Sequence, residues 1–167
     1  RVIEAAPPPM RMLSARAALG LVAVSRADAD SAEEQYAFLQ QYRGMVVPGI
    51  LRSVDRLLGI LSQSMGDDDQ AVAHFEDALA FCRKSGYRPE LVWTCCDYAD
   101  CLLAHNVDAD RVKAEALWDD SLAIATELGM RPLMERVTAR LERVQAQPVV
   151  APAYPDGLTQ REMEVLR

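Results

Sequence analysis

The sequence predicts an all-α fold, a superhelical array of antiparallel helix pairs. Three observations predict it. Alanine and leucine, both strong helix formers, dominate a chain in which aromatics are sparse. Its only Val-Val pairs, Val46-Val47 and Val149-Val150, each stand beside a proline, so long β-branched runs are missing. The chain also repeats itself: Gly86-Tyr87-Arg88-Pro89 returns 43 residues later as Gly129-Met130-Arg131-Pro132. Self-similarity at such a period marks stacked supersecondary units.

The same 43-residue shift carries Ala71 to Ala114, Phe75 to Trp118 and Leu79 to Leu122. A shift of 39 residues relates an earlier copy, pairing Pro9 with Pro48, Leu19-Gly20 with Leu58-Gly59, Ala32 with Ala71 and Tyr36 with Phe75. The units are about 8–44, 48–86 and 89–129, with a further helix over 132–145, and the array as a whole covers 1–145. Each first helix is predicted to open at a proline, whose missing N–H costs nothing in a first turn. In the second unit the apolar positions Leu51, Val54, Leu58, Leu61 and Met65 follow a helical stripe; in the third, Val92, Cys95, Ala99 and Leu102 keep it until Asn106.

Each second helix follows an acidic turn. Ser31 with Glu34 has the form of a capping box, and Asp68 or Asp69, and Asp110, are placed to cap the equivalent helices. Ala71, Phe75, Ala78, Leu79 and Cys82 form an inner stripe that Ala114, Trp118, Ser121, Leu122 and Ala125 repeat. Gly44, Gly86 and Gly129 supply the left-handed conformation that closes a helix. The 43- against 41-residue proline spacing puts about two extra residues in the turn around His105 to Asp110. Residues 146–157 carry three prolines and a glycine between Gln147 and Gly157, the composition of a linker.

At 167 residues the chain has the size of one ordinary domain. A net charge of −7 argues against a phosphate-tracking surface on this segment. No stretch approaches the ~20 apolar residues of a membrane span, and no signal peptide is visible. Arg1 in place of a methionine reads as the start of an excised piece. Three of the four cysteines, Cys95, Cys96 and Cys101, fall in one predicted helix, a poor disulfide spacing, which points to reduced thiols and a cytoplasmic setting.

The Leu58-Gly59, Ala71, Phe75, Ala78 pattern resembles tetratricopeptide repeats. Leu19-Gly20, Ala32 and Tyr36 match less completely, and the third unit matches at Ala114 and Trp118. The units are longer than the usual ~34 residues. Residues 158–167, Leu158-Thr159-Gln160-Arg161-Glu162-Met163-Glu164-Val165-Leu166-Arg167, resemble the opening of a LuxR-type helix-turn-helix domain. Thr159 with Glu162 forms a second capping box there. The recognition helix that would enter the major groove lies beyond these residues, so the resemblance implies DNA binding by the parent regulator and not by this fragment. It also implies an ATP-binding module, in some members preceded by a cyclase domain, upstream of Arg1. The chain itself carries no GxxxxGK[ST] loop.

Stacked pairs of this kind present their first helices on a concave face. The groove-facing candidates are Ser53, Arg56, Ile60 and Gln63 in the second unit and Thr94, Asp97, Cys101 and Ala104 in the third. Ser14, Ala17, Leu21 and Val24 are their counterparts in the first. A mixed, fairly apolar groove with Arg56 as its main cation suits a segment of another protein, or another domain of the same chain. Trp93 and Tyr98, which do not recur, are candidates for a special surface.

Chemical sites read more weakly. Cys95, Cys96 and Cys101 with His105 lack zinc-type CxxC spacing. No third group orients a cysteine nucleophile against His74 or His105. Asp67-Asp68-Asp69 lacks the frame of a calcium loop. His74 and Asp77, one helical turn apart, read as a solvated or edge-of-core pair. No catalytic residue, metal ligand or cofactor is predicted. The expected role is a protein-interaction and signal-relay module. A passive spacer or homodimerisation scaffold is the alternative, and a cysteine-dependent enzyme a distant one.

Overall fold

The computed structural model describes residues 9–104 and 108–146. Among them are seven α-helices and one small hairpin: α1 Pro9–Ser25, α2 Ala29–Leu39, β1 Val46–Val47, β2 Arg52–Ser53, α3 Val54–Ser64, α4 Asp68–Ser85, α5 Arg88–Ala104, α6 Asp108–Glu127 and α7 Arg131–Ala146. A 3-10 turn, Gln40–Tyr42, extends α2. The fold is all-α apart from the two-residue strands. The expected Pro-rich linker 146–157 lies outside the described residues but for Ala146, which ends α7, and the helix-turn-helix opening 158–167 lies wholly outside them, as do Asn106 and His105.

Helices pair in sequence order: α1 packs on α2, α3 on α4, α5 on α6, and each pair rests on the next through α2–α3, α4–α5 and α6–α7. The first helices also touch one another, α1 against α3 and α3 against α5. Equivalent residues fill equivalent places. Ala32, Ala71 and Ala114 are all fully buried, and the aromatic positions Tyr36, Phe75 and Trp118 are buried with them. Small-large alternation lets the second helices seat closely against the first. Gly59 marks the tightest approach, since a Cβ there would stand 3.1 Å from the Phe75 ring.

Helix ends follow local chemistry. Gly86 closes α4 in the left-handed conformation at φ 66°, and Gly129 follows α6 at φ 67°. The N-caps of α2 and α4 lie earlier in the chain than the sequence expectation. Asp28, not Ser31, caps α2: its carboxylate accepts from the Ser31 N–H at 3.1 Å and the Ser31 hydroxyl at 2.6 Å. Asp67, not Asp68 or Asp69, caps α4 by accepting from the Gln70 N–H at 3.1 Å. Asp110 sits inside α6, which begins at Asp108. In α2 and α4 the carboxylate nearest the chain reversal reaches the free amides first.

The second unit departs further. Pro9, Pro89 and Pro132 lie in first turns of helices, but Pro48 lies in the β1–β2 turn. β1 and β2 pair antiparallel, Val46 opposite Ser53 and Val47 opposite Arg52. The helix therefore starts at Val54, and Leu51 is an exposed turn residue at φ 49°, outside the apolar stripe. Gly49 at φ 84° supplies the reversal that a helix beginning at Pro48 would forbid. The turn is tied down on both sides, by the Ser14 hydroxyl to the Pro48 carbonyl at 2.6 Å and the Tyr87 hydroxyl to the Leu51 carbonyl at 2.7 Å.

Candidate functional site

Of the side chains expected to line an open groove, Arg56 and Asp97 instead meet in a seam between α3, α5 and α7. Ser53, Arg56, Thr94 and Cys101 are buried, Arg56 at only 2% exposure. Ile60 packs partly buried against the apolar core, and Gln63 and Asp97 are half-buried. The burial of Arg56 has a simple cause. Neighbouring first helices touch, so the residues between them face a helix and not solvent. In the first unit Ala17 is likewise buried, and Leu21 and Val24 are partly so.

Arg56 is the centre of this seam. Its Nη1 donates to Glu90 Oε2 at 3.0 Å, and its Nε and Nη2 reach Asp97 Oδ2 at 2.8 and 2.7 Å. The other Glu90 oxygen accepts the Ser53 N–H at 2.8 Å, where the chain enters α3. Asp97 is shared with Arg136 of α7 at 3.8 Å, and Arg136 also lies 3.6 Å from Asp100. Arg140, a turn further along α7, pairs with Asp100 through both carboxylate oxygens. Trp93 lies between the two cations, with the Arg56 and Arg136 guanidiniums 5.5 and 5.7 Å from its ring centre.

Burial opposes the charges of both Arg56 and Glu90. For Arg56 it is outweighed by two carboxylates, Asp97 and Glu90, which together hold the guanidinium above its ordinary pKa. For Glu90 burial prevails over the attraction of Arg56, so its carboxyl is pushed up. Arg56 is thus a neutralised structural cation and not a free anchor for an incoming carboxylate. Thr94 is spent locally, its hydroxyl donating to the Glu90 carbonyl at 2.9 Å. Tyr98 belongs to the core, stacked on Phe75 with ring centres 5.4 Å apart and fully buried.

All four cysteines are free and buried. Burial foremost pushes the Cys95 thiol up to about 12 and those of Cys82, Cys96 and Cys101 to about 11. A nucleophilic or metal-binding cysteine needs an accessible thiolate, and these four do not offer one. Open clefts lie elsewhere. One of ≈ 500 Å³ between α2 and α4 is lined by Glu33, Tyr36, Gln40, Met65, Asp67 and Gln70. Another of ≈ 450 Å³ lies along α1 and α2.

Glu90 and Asp100 were not visible as partners in the sequence. The signal that could have found them is charge at the repeat distance. The pairs Arg56–Asp97, Arg56–Glu90 and Arg140–Asp100 are 41, 34 and 40 residues apart, as are Arg88–Glu127 at 39 and Lys113–Glu76 at 37. Opposite charges one unit apart fall on facing helices. No protein-family model, curated protein or solved structure matches the chain. Among the described residues no helix is long and apolar enough to cross a membrane.

Proposed function

We propose that this chain is the protein-interaction and signal-relay module of a LuxR-type transcriptional regulator, a tetratricopeptide-like array that acts by holding partners and not by chemistry. The carrying observation is the continuous polar seam through α3, α5 and α7, in which Asp97 is shared by a cation from each neighbouring unit. Helix pairs joined in series by directional charge contacts, buried at Arg56 and half-exposed at Arg136 and Arg140, move together, so a partner bound on one unit displaces the next. The resemblance of residues 158–167 to a LuxR-type opening supplies the output: DNA bound by the domain they would begin. The partner is a protein segment or another domain of the same chain, in a cytoplasmic setting that keeps the buried thiols reduced.

The test is promoter binding by the full-length regulator with and without an in-frame deletion of the array. Tighter or effector-independent binding after deletion is expected. Unchanged binding with an unchanged effector response would sink the relay.

One observation favours the spacer or homodimerisation reading. Met12, Leu19 and Val22 share the outward face of α1 and are exposed. If that face joins two copies, sedimentation will show concentration-dependent association that Leu19→Asp abolishes.

A further inference from the structure

A second polar cluster lies away from the seam, where α3 meets α4. Asp55 on α3 is buried, and His74 and Asp77 stand one turn apart on α4. One oxygen of each carboxylate and one nitrogen of the imidazole lie within 4.8 Å of one another. His74 is 4% exposed. Its Nε2 shares a 2.8 Å hydrogen bond with the Tyr36 hydroxyl, while its Nδ1 is buried with no hydrogen-bond partner. A buried ring nitrogen without a partner carries a desolvation cost that a ligand would remove.

We propose that Asp55, His74 and Asp77 form a binding site for a divalent transition-metal ion of the zinc class. The donor set, one imidazole and two carboxylates, suits zinc and leaves a position for water. Two of the three ligands are already oriented from behind, as metal ligands characteristically are. With a metal on Nδ1 the imidazole proton resides on Nε2, where the Tyr36 oxygen accepts it. Asp55 is fixed by the Gly44 N–H, which donates to its Oδ2 at 2.7 Å.

The charge now between the carboxylates is Arg43, which pairs with Asp77 and lies 3.6 Å from Asp55. Its side chain is 53% exposed, so it can swing into water when an ion arrives. Arg43 is therefore a competitor for the site, and this gives the proposal a consequence that a mere surface ion pair lacks: removing the arginine tightens metal binding. The inference is independent of the relay reading, since it concerns the α3–α4 junction alone.

The experiment titrates zinc chloride into the chelator-stripped chain at neutral pH, with calorimetry for stoichiometry and circular dichroism to confirm folding of each variant. One ion per chain is expected, weakened at least tenfold by Asp77→Asn and by His74→Gln and strengthened by Arg43→Ala. Asp77 is half-exposed, so Asp77→Asn leaves the packing intact and carries the test if His74→Gln unfolds. Absence of saturable binding overturns the proposal. So does binding that Asp77→Asn leaves unchanged, which would put the ion elsewhere, or binding that appears only in Arg43→Ala, which would mean the natural side chain keeps the site closed.

Discussion

Individual residues in this molecule owe their burial to partners one unit away. Arg56 shows the balance. Two carboxylates neutralise it, and their removal or its own leaves a charge in a dry seam. Breaking such a pair from one side costs about 3–5 kcal/mol, whereas removing both charges together costs much less. Arg56→Ala is therefore expected to lower the urea-unfolding free energy by about that amount. Arg56→Met combined with Glu90→Gln should lose less than the sum of its single changes by at least about 1 kcal/mol. Strict additivity would show that Glu90 does not sense Arg56. Glu76 gives a pH test at the same scale. Burial works against its charge, but hydrogen bonds from Lys113 at 2.5 Å and Tyr98 at 2.8 Å outweigh it and hold the carboxyl below its ordinary value. A depressed carboxylate contributes stability above its unfolded pKa, about 4.5, and loses it as pH falls through the folded value. Glu76→Gln should flatten that part of the stability profile; an unaltered slope below pH ~4.5 would dissociate Glu76 from acid unfolding.

At the scale of helices, the two Leu-Gly pairs separate a packing glycine from an incidental one. A Cβ on Gly59 meets three Phe75 ring carbons at 3.1 Å, and the ring is fully buried. A Cβ on Gly20 meets Leu61 and Gln35 at 3.4 and 3.5 Å, ordinary contact. Alanine gains about 1 kcal/mol of helix propensity at either site. Gly20→Ala should be neutral or stabilising by up to that amount, while Gly59→Ala should be destabilising by about 1–3 kcal/mol through overpacking. Equal effects in thermal unfolding would remove Gly59 from the α3–α4 contact. Helices, aromatic positions and glycine stops were legible in the sequence because each rests on local periodicity or on a backbone requirement. Ala71, Phe75 and Gly86 are examples. The β1–β2 hairpin was not, because Val46-Val47-Pro48 reads equally as the end of one helix and the start of another; only Gly49 and the two side-chain ties to the turn decide it. The burial of Arg56 and Thr94 was not legible, because a helical stripe gives the direction of a side chain and not the distance to the next helix.

Over the molecule as a whole, the apolar core divides. Leu13, Ala17, Leu39, Val47, Leu57 and Leu61 belong to one cluster spanning α1 to α3, and Phe75, Cys95, Leu102, Trp118 and Leu133 to another spanning α4 to α7. The division runs through the second helix pair. Apolar contact crosses it where Gly59 meets the Phe75 ring and where Ile60 packs on the second cluster, and polar ties cross beside it: Tyr36 with His74, Arg43 with Asp77, and Arg56 with Glu90 and Asp97. Apolar burial sets the cooperativity of unfolding, and stacked units unfold in blocks joined by their interfaces. Native-state hydrogen exchange should therefore resolve two protected sets of amides, α1–α3 and α4–α7. Arg56→Met should raise exchange in α3 far more than in α7, since it loosens the joint while leaving each cluster filled. A single protection level across all helices, unchanged by Arg56→Met, would mean that Gly59 against Phe75 alone welds the clusters into one unit and that the polar seam only fixes register.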